Sequence, residues 1–455
     1  MTNKQFNSIW FFFSILFFCV LFVLSPSTAQ PNLEWVKTSS GKSDNTGNAV
    51  AVDKDGNVYV AGSISGYVDF DPGPGVNPFI APTPNCMFVS KYDVAGNLIW
   101  VKSIKAKAVF SIYVDDSCNV YTAGIFNETV DFDPDSGVFT LTNNAIVSIF
   151  ICKWDSSSAF VWANKVVNGL GGGNFASDNV SNLIVDNSGN AYVSGTLSQS
   201  FFVAKFGNPG NLIFKYQFGS STFGKYPLSL DNVGNLVMAG KFKSTIIDID
   251  PTAGTYNLDA VNGRFFILKL TPLGFFKWAK NFGSISADNN KNNCFAIATD
   301  TTDQIYLTGC FSDSADFDPS AAIYNLIGSS NKSPFIARYD SSGNFVWAKA
   351  LDPTIQNSRL TLDNQANILL TGTFTGTVDF DPDPGVFNLT SSTNEVVFIS
   401  KYSNTGILKW AKKSGGIRSY DIVSNKSSKV FITGRFVSIA DFDPSAAVYN
   451  LETLK

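Results

Sequence analysis

Two aspartates one residue apart, followed by proline, recur six times in this chain. They are Asp69 and Asp71 in VDFDPG, Asp131 and Asp133 in VDFDPD, and Asp248 and Asp250 in IDIDPT. Asp316 and Asp318 in ADFDPS, Asp379 and Asp381 in VDFDPD, and Asp441 and Asp443 in ADFDPS complete the set. In an extended segment alternate residues share a side, so each pair presents its carboxylates together while the residue between them turns toward the core.

Carboxylates so placed can hold a hard cation such as calcium, and Asp135 and Asp383 add a third in two copies. They can serve as acid and base on a glycosidic bond, which in retaining enzymes asks for carboxyls about 5 Å apart. They can also accept bonds from backbone N–H groups of the turn that the proline begins. Repetition favours the last role, because a structural turn recurs whereas an acid–base pair needs one copy in singular surroundings. Proline also stands where a helix–loop–helix calcium site needs its flexible centre. No cofactor is expected, with calcium kept as the one open alternative.

Composition narrows the chemistry further. The 455 residues contain no histidine, which removes the commonest general base, the triads built on it and the imidazole metal ligand. A net charge of -4, from 33 basic and 37 acidic residues without long runs, leaves no basic stripe for nucleic acid. Phenylalanine is abundant at 41 residues, and Asn, Ser and Gly stand where Lys and Glu are usual, as in an aromatic, turn-rich β protein.

At the N-terminus, Lys4 precedes sixteen uncharged residues, Ile9 to Leu24, and the small residues Ser25 to Ala29 follow. This pattern predicts a secretory leader over residues 1–29, cleaved after Ala29; the apolar stretch is just short of the about 17 to 25 residues of a membrane span. The expectation is therefore a secreted or surface protein of a bacterium, without a membrane span after cleavage. Cys86, Cys118, Cys152, Cys294 and Cys310 would remain, and an odd, scattered set cannot form a complete disulfide framework.

The elements that must position the acidic phrase are repeats. A tryptophan phrase recurs as LEWVK at 33–37, LIWVK at 98–102, FVWAN at 160–164, FKWAK at 276–280, FVWAK at 345–349 and LKWAK at 408–412. Phe214 stands in for the aromatic in one copy, and the spacings from Trp35 are 65, 62, 52, 64, 69 and 63 residues. Before each phrase come three more strand-like runs, as in NAVAVD at 48–53, NVYVAG at 57–62 and MFVSKYD at 87–93. Each unit thus reads as a four-stranded antiparallel meander, apolar on both faces and unable to stand alone.

Stacked units of this length predict an all-β, seven-bladed β-propeller in one domain over residues 30–455. Its blades are expected near 46–105, 106–165, 177–217, 225–281, 291–350, 356–413, and 417–455 with 32–37. The N-terminal tryptophan strand should close the ring, leaving the last blade one strand short. A β-solenoid, with its generally shorter coils, is the alternative. Trp35, Trp100, Trp162, Phe214, Trp278, Trp347 and Trp410 are expected to pack between blades rather than form a glycan platform. The third unit omits the acidic insertion, passing from Gly195 through TLSQS to FFVAKF, and Gly169-Leu170-Gly171-Gly172-Gly173 precedes it; a lowered wall there would open a lateral approach.

The phrases D-x-x-G-N-x-Y-V-x-G (Asp53 to Gly62, Asp186 to Gly195), VDFDPG at 68–73 and FVWAK at 345–349 together resemble a family of secreted bacterial β-propeller repeats of the Bacteroidetes type. The resemblance implies a propeller and an exported protein, and it implies no catalytic residues. Many relatives carry a C-terminal sorting domain; none follows Leu451, which suggests a C-terminus cut short. The expected function is that of a noncatalytic interaction or scaffold module, a monomer whose partner is a protein or a glycan. A carbohydrate-active enzyme and a calcium-dependent adhesin are the alternatives, and a residue unique to one blade and facing the central channel would favour an enzyme or a small-ligand site.

Overall fold

The computed structural model describes residues 16–23, 32–41, 45–71, 78–81, 86–143, 146–166, 178–219, 224–260, 264–284, 291–329, 332–391, 395–416, 418–436, 439–444 and 449–452. The glycine run at 169–173 lies outside them, as does most of the expected leader. Among the described residues no helix is long and apolar enough to cross a membrane.

Six blades are contiguous four-stranded antiparallel meanders. Blade 1 comprises Thr46–Val52, Val58–Ile64, Cys86–Tyr92 and Leu98–Ile104. Blade 2 comprises Ala108–Val114, Val120–Phe126, Ser148–Trp154 and Phe160–Val166. Blade 3 comprises Asn179–Val185, Ala191–Leu197, Ser200–Phe206 and Leu212–Phe218. Blade 4 comprises Leu228–Leu230, Leu236–Lys241, Phe265–Leu270 and Phe276–Phe282. Blade 5 comprises Asn293–Thr299, Ile305–Phe311, Ser333–Tyr339 and Phe345–Ala350. Blade 6 comprises Gln356–Leu362, Ile368–Phe374, Val396–Tyr402 and Leu408–Ser414.

The expectation of seven such blades is corrected to six. Among the described residues the seventh unit supplies two strands of this kind, Arg418–Ser424 and Val430–Phe436. They belong to a composite sheet in which Leu16–Val23 pairs with Val430–Phe436 on one side and with Asn32–Thr38 on the other. A segment read from sequence as part of a leader thus lies in the third-strand place.

Burial explains the sequence pattern. The second strands, such as Val120–Phe126 and Ile368–Phe374, are buried along their whole length, so they read as unbroken apolar runs. The apolar core lies as slabs between neighbouring sheets: one joins Tyr59 and Met87 of blade 1 to Ile112 and Trp154 of blade 2, another joins Leu369 and Ile399 of blade 6 to Val36 and Ile432 of the composite sheet. Stacking on both faces is what lets each meander fold. Each second strand also needs its glycine. A Cβ on Gly309 would sit 2.1 Å from the Asn293 carbonyl oxygen and 2.8 Å from the Phe335 ring, because the bulged first strand presses on that position.

The acidic insertions fold as small two-stranded hairpins between second and third strands. Thr129–Asp131 pairs with Thr140–Thr142, Ser314–Asp316 with Asn325–Ile327, and Thr377–Asp379 with Asn388–Thr390. Ile246–Asp248 with Asn257–Asp259, Ile439–Asp441 with Asn450–Glu452, and Tyr67–Asp69 with Pro78–Ile80 repeat the arrangement. In blade 3 the insertion is replaced by a two-residue turn, Ser198 and Gln199, both at positive φ as such tight hairpins require.

Candidate functional site

The six rim hairpins are built from the DxDP phrase upward. The residue between the aspartates, Phe70, Phe132, Ile249, Phe317, Phe380 or Phe442, is fully buried and fixes the hairpin to its blade. The first aspartate then faces the turn. Asp131 Oδ1 accepts from the amides of Asp133 at 3.1 Å and Phe139 at 2.8 Å. Asp248 does so from Asp250 and Tyr256, Asp316 from Asp318 and Tyr324, Asp379 from Asp381 and Phe387, and Asp441 from Asp443 and Tyr449. Asp69 accepts from the Asp71 amide at 3.0 Å.

The second aspartate repeats the device one step on. Asp133 accepts from the Asp135 amide, Asp250 from Thr252, Asp318 from Ser320 and Asp381 from Asp383, at 2.8 to 3.0 Å. Asp71 and Asp443 occupy the same place in their hairpins. The third carboxylates turn elsewhere. Lys349 of blade 5 pairs with Asp383 in the hairpin of blade 6 at 2.6 Å, and Lys102 of blade 1 pairs with Asp135 in the hairpin of blade 2. Both are bonds between neighbouring blades.

Beyond the aspartates, the hairpins of blades 2, 4 and 5 stack an aromatic residue on their own blade, and those of blades 2, 5 and 6 present an apolar one outward. Phe139 packs on Phe160, Tyr256 on Phe276 and Tyr324 on Phe345, with ring centroids 4.7 to 4.9 Å apart, so the hairpin lies on the outer strand of its own blade. The preceding residues Val138, Ile323 and Val386 are 79%, 73% and 74% exposed. Ile80 and Ile246 are exposed on the hairpins of blades 1 and 4, and Ile327 on that of blade 5.

The aromatic positions of the outer strands bridge blades. Trp35 Nε1 donates to the Val94 carbonyl of blade 1, Trp162 to Asn208 of blade 3 and Trp347 to Asn404 of blade 6, at 2.7 to 3.1 Å. Phe214, Trp278 and Trp347 lie against the positive-φ turn glycines Gly274, Gly343 and Gly406 of the next blade. Trp100 packs edge-on against Tyr59, and Trp410 is buried between blade 6 and the composite sheet.

A second set of aspartates caps the first hairpin of each blade. Asp53 Oδ1 accepts from the amides of Asp55 and Asn57, while Oδ2 accepts from Asn57 Nδ2 and the Tyr59 hydroxyl. Burial alone would raise its pKa, but these bonds and the Lys91 charge outweigh burial and hold it below the usual carboxylate value. Lysines of the third strands complete the motif: Lys401 lies 2.7 Å from Asp363 and Lys269 lies 2.8 Å from Asp231. Sequence reasoning passed over these pairs, although the Lys before the last aromatic or leucine of the third strand in SKYD, AKF, LKL and SKY was their signal.

Among the described residues, the one trio able to bring ligand atoms within 4.8 Å of one another is Asp53, Asp55 and Cys118. It fits a metal poorly, since both Asp53 oxygens are already engaged and burial raises the Cys118 thiol. All five cysteines outside the leader stretch are buried.

Residues 38–68 match the profile of a family described as a β-propeller repeat, SBBP. The chain is a β-propeller of four-stranded antiparallel blades. It is 26% identical over 218 residues, 42% of its length, to an uncharacterized WD repeat-containing protein of Acanthamoeba polyphaga mimivirus, and spans 15% of that relative. Among solved structures, the Dos1 propeller superposes with a TM-score of 0.45 at 6% identity, covering 87% of this chain and 93% of that one.

Proposed function

We propose that this propeller is a noncatalytic interaction scaffold, secreted or held at the outer surface of a bacterial cell, that engages a protein or glycan partner through its rim hairpins. The observation that carries this reading is the repeated outward apolar residue, Val138, Ile323 and Val386, on hairpins held rigid by capped aspartates and stacked aromatics. Several such residues on equivalent connections form a repeated surface of the kind that marks interaction sites. The reading includes closure of the ring between the two strands of the last unit and blade 1. It is supported by the Val50 amide donating to Asp421 Oδ2 at 3.1 Å and by Thr433 Oγ1 donating to the Gly47 carbonyl at 3.0 Å, which tie the composite sheet to blade 1.

In this reading the rim aspartates are turn caps and need no calcium, since their oxygens already accept backbone amides and their third carboxylates pair with lysines. The test is photo-crosslinking in an exporting cell, with a reactive phenylalanine analogue placed at Ile323, at Val386, and at exposed Val94 away from the hairpins. Discrete adducts from the two hairpin positions and none from Val94 support the reading. Adducts from Val94 alone, or a calcium-dependent rise in melting temperature reversed by chelator, would replace it with another surface or with an ion-braced adhesin.

A further inference from the structure

The composite sheet differs from the six blades in where its third strand comes from. In blade 6 the third strand Val396–Tyr402 lies between the second strand Ile368–Phe374 and the outer strand Leu408–Ser414. In the composite sheet Leu16–Val23 takes the same place between Val430–Phe436 and Asn32–Thr38, antiparallel to both. The register is that of a blade. Phe18 pairs with Gly434 as Phe398 pairs with Gly372, and Leu21 pairs with Trp35 as Lys401 pairs with Trp410. Even the bulge recurs, after Leu21 here and after Lys401 in blade 6.

The strands on either side are tied down by contacts outside this segment. Lys429 and Glu34 form an ion pair at 2.9 Å. Trp35 Nε1 donates to the Val94 carbonyl of blade 1, and its ring centroid lies 6.4 Å from that of Phe431. Val36 packs in one slab with Ile399 of blade 6 and Ile432. Removal of residues 1–29 on export, the reading on which this inference rests, therefore leaves a slot one strand wide between two anchored strands. Its walls are backbone: the segment pairs with seven residues of Val430–Phe436 and six of Asn32–Thr38. Unpaired backbone of that length calls for a new strand to restore the ladder.

Charge says which kind of strand. In blades 1 to 6 the third-strand residue before the bulge is Lys91, Lys153, Lys205, Lys269, Arg338 or Lys401. Lys205, Lys269 and Lys401 reach the turn aspartates Asp186, Asp231 and Asp363 at 3.4, 2.8 and 2.7 Å. The seventh unit lacks both halves of the pair. Asn425 stands in the aspartate's place, accepting the Ser427 and Lys429 amides at 3.0 and 2.9 Å, and Leu21 stands in the lysine's. A third strand lent by a second copy of this chain would bring a lysine or arginine to a turn that offers no carboxylate. The slot is matched instead to a strand without charge at that position.

We infer that the exported chain accepts in this slot an extended apolar segment of a partner polypeptide, added as the third strand of the composite sheet. Backbone pairing on both sides supplies the affinity, and the residue opposite Trp35 the selectivity. The test begins with the intact mass of the protein recovered from outside exporting cells, where a chain starting at Gln30 is expected. That chain is titrated with a labelled peptide of residues 16–23 made soluble by terminal lysines. Saturable one-to-one binding is expected, with hydrogen exchange slowed over Val430–Phe436 and Asn32–Thr38. The peptide carrying Leu21→Lys should bind at least about ten-fold more weakly, and Asn425→Asp in the protein should restore it. No saturable binding, protection confined to other strands, equal binding of the two peptides, or no recovery with Asn425→Asp would overturn the inference. A homodimer that excludes the peptide would give the slot to a second copy and overturn it too. An exported chain that keeps residues 16–23 would overturn it while leaving the scaffold reading intact, since its own strand fills the slot. A chain that is never exported would overturn the exported-scaffold reading along with it.

Discussion

Asp363→Asn isolates one buried charge from the turn it caps. Asp363 and Lys401 are 2.7 Å apart with side chains 1% and 5% exposed. Asp363 Oδ1 accepts the amides of Gln365 and Asn367, both at 2.9 Å, and an asparagine oxygen keeps both bonds. What is lost is the negative charge beside Lys401 together with the Oδ2 acceptor that Asn367 Nδ2 also uses at 2.9 Å, and an uncompensated buried charge costs about 3 to 5 kcal/mol. Unfolding entropy of about 2.1 cal/mol/K per residue over roughly 420 residues is about 0.9 kcal/mol/K, so the melting temperature should fall by roughly 3 to 6 °C. The comparison is Asp93→Asn, in a more exposed turn with the same amide pattern, which should cost at most about 1 kcal/mol. Lys401→Met added to Asp363→Asn should recover most of the loss. Acid gives an independent sign. Burial raises the Asp363 pKa, but the bonds from Lys401, Asn367 and the turn amides lower it further, so the net value is depressed. Its contribution is therefore present above the unfolded carboxyl's value of about 3.9 and is lost as pH falls through the lower folded value. Calorimetry of the four proteins at pH 7, with the wild type repeated in acid, decides the matter. Equal losses for Asp363→Asn and Asp93→Asn, or no recovery with Lys401→Met, would refute the reasoning.

Further outcomes follow from single contacts. Gly309→Ala should destabilise by more than about 2 kcal/mol, because its Cβ meets the Asn293 carbonyl, whereas Gly376→Ala, with no atom within 4 Å, should cost about 1 kcal/mol from its positive φ alone; thermal melts compare them. Lys349→Ala removes the partner of Asp383, whose side chain is 39% exposed, so it should cost under about 1 kcal/mol and the difference should shrink in 0.5 M salt, roughly a 4 Å screening length. Cys152 and Cys294 are buried and their thiols are pushed up by burial, so a thiol reagent should leave them unlabelled in the native protein and label them in denaturant.

Periodic features were the legible ones. Asp–Phe–Asp alternation places Phe132 or Phe380 in the core from strand geometry alone, and the structure buries them fully. The missing insertion of blade 3 was equally plain, and the turn at Ser198 and Gln199 shows how little replaces it. What escaped was whatever depends on a neighbour in space. Lys401 reads as an ordinary strand lysine until the adjacent strand brings Asp363 beside it. Arg359 and Asp421 look like surface charges in sequence, and only the register against Thr371 and Thr433 puts them at the convergence of the blades. The count of complete blades failed because a unit was counted from its first strand, whereas a blade requires all four. The apolar stretch Leu16–Val23 matches a leader by composition and a third strand by its pairing equally well.

The composite sheet also sets the order in which this chain can fold. Within blades 1 to 6, partners are joined by local turns, but Lys429 meets Glu34 across 395 residues, and Thr433 meets Gly47 across 386. Loop closure grows as (3/2)RT ln n, so bringing these strands together costs about 3 kcal/mol more than closing a ten-residue hairpin. At about 5 to 20 residues per second, the six meanders have tens of seconds to form as the chain emerges, before Arg418–Ser424 exists. Until then Thr46–Val52 and Leu408–Ser414 end a row of finished blades with bare flanks. The slowest and most aggregation-exposed interval is thus the wait for the last two strands, and premature termination before residue 418 should yield a product prone to edge-to-edge association.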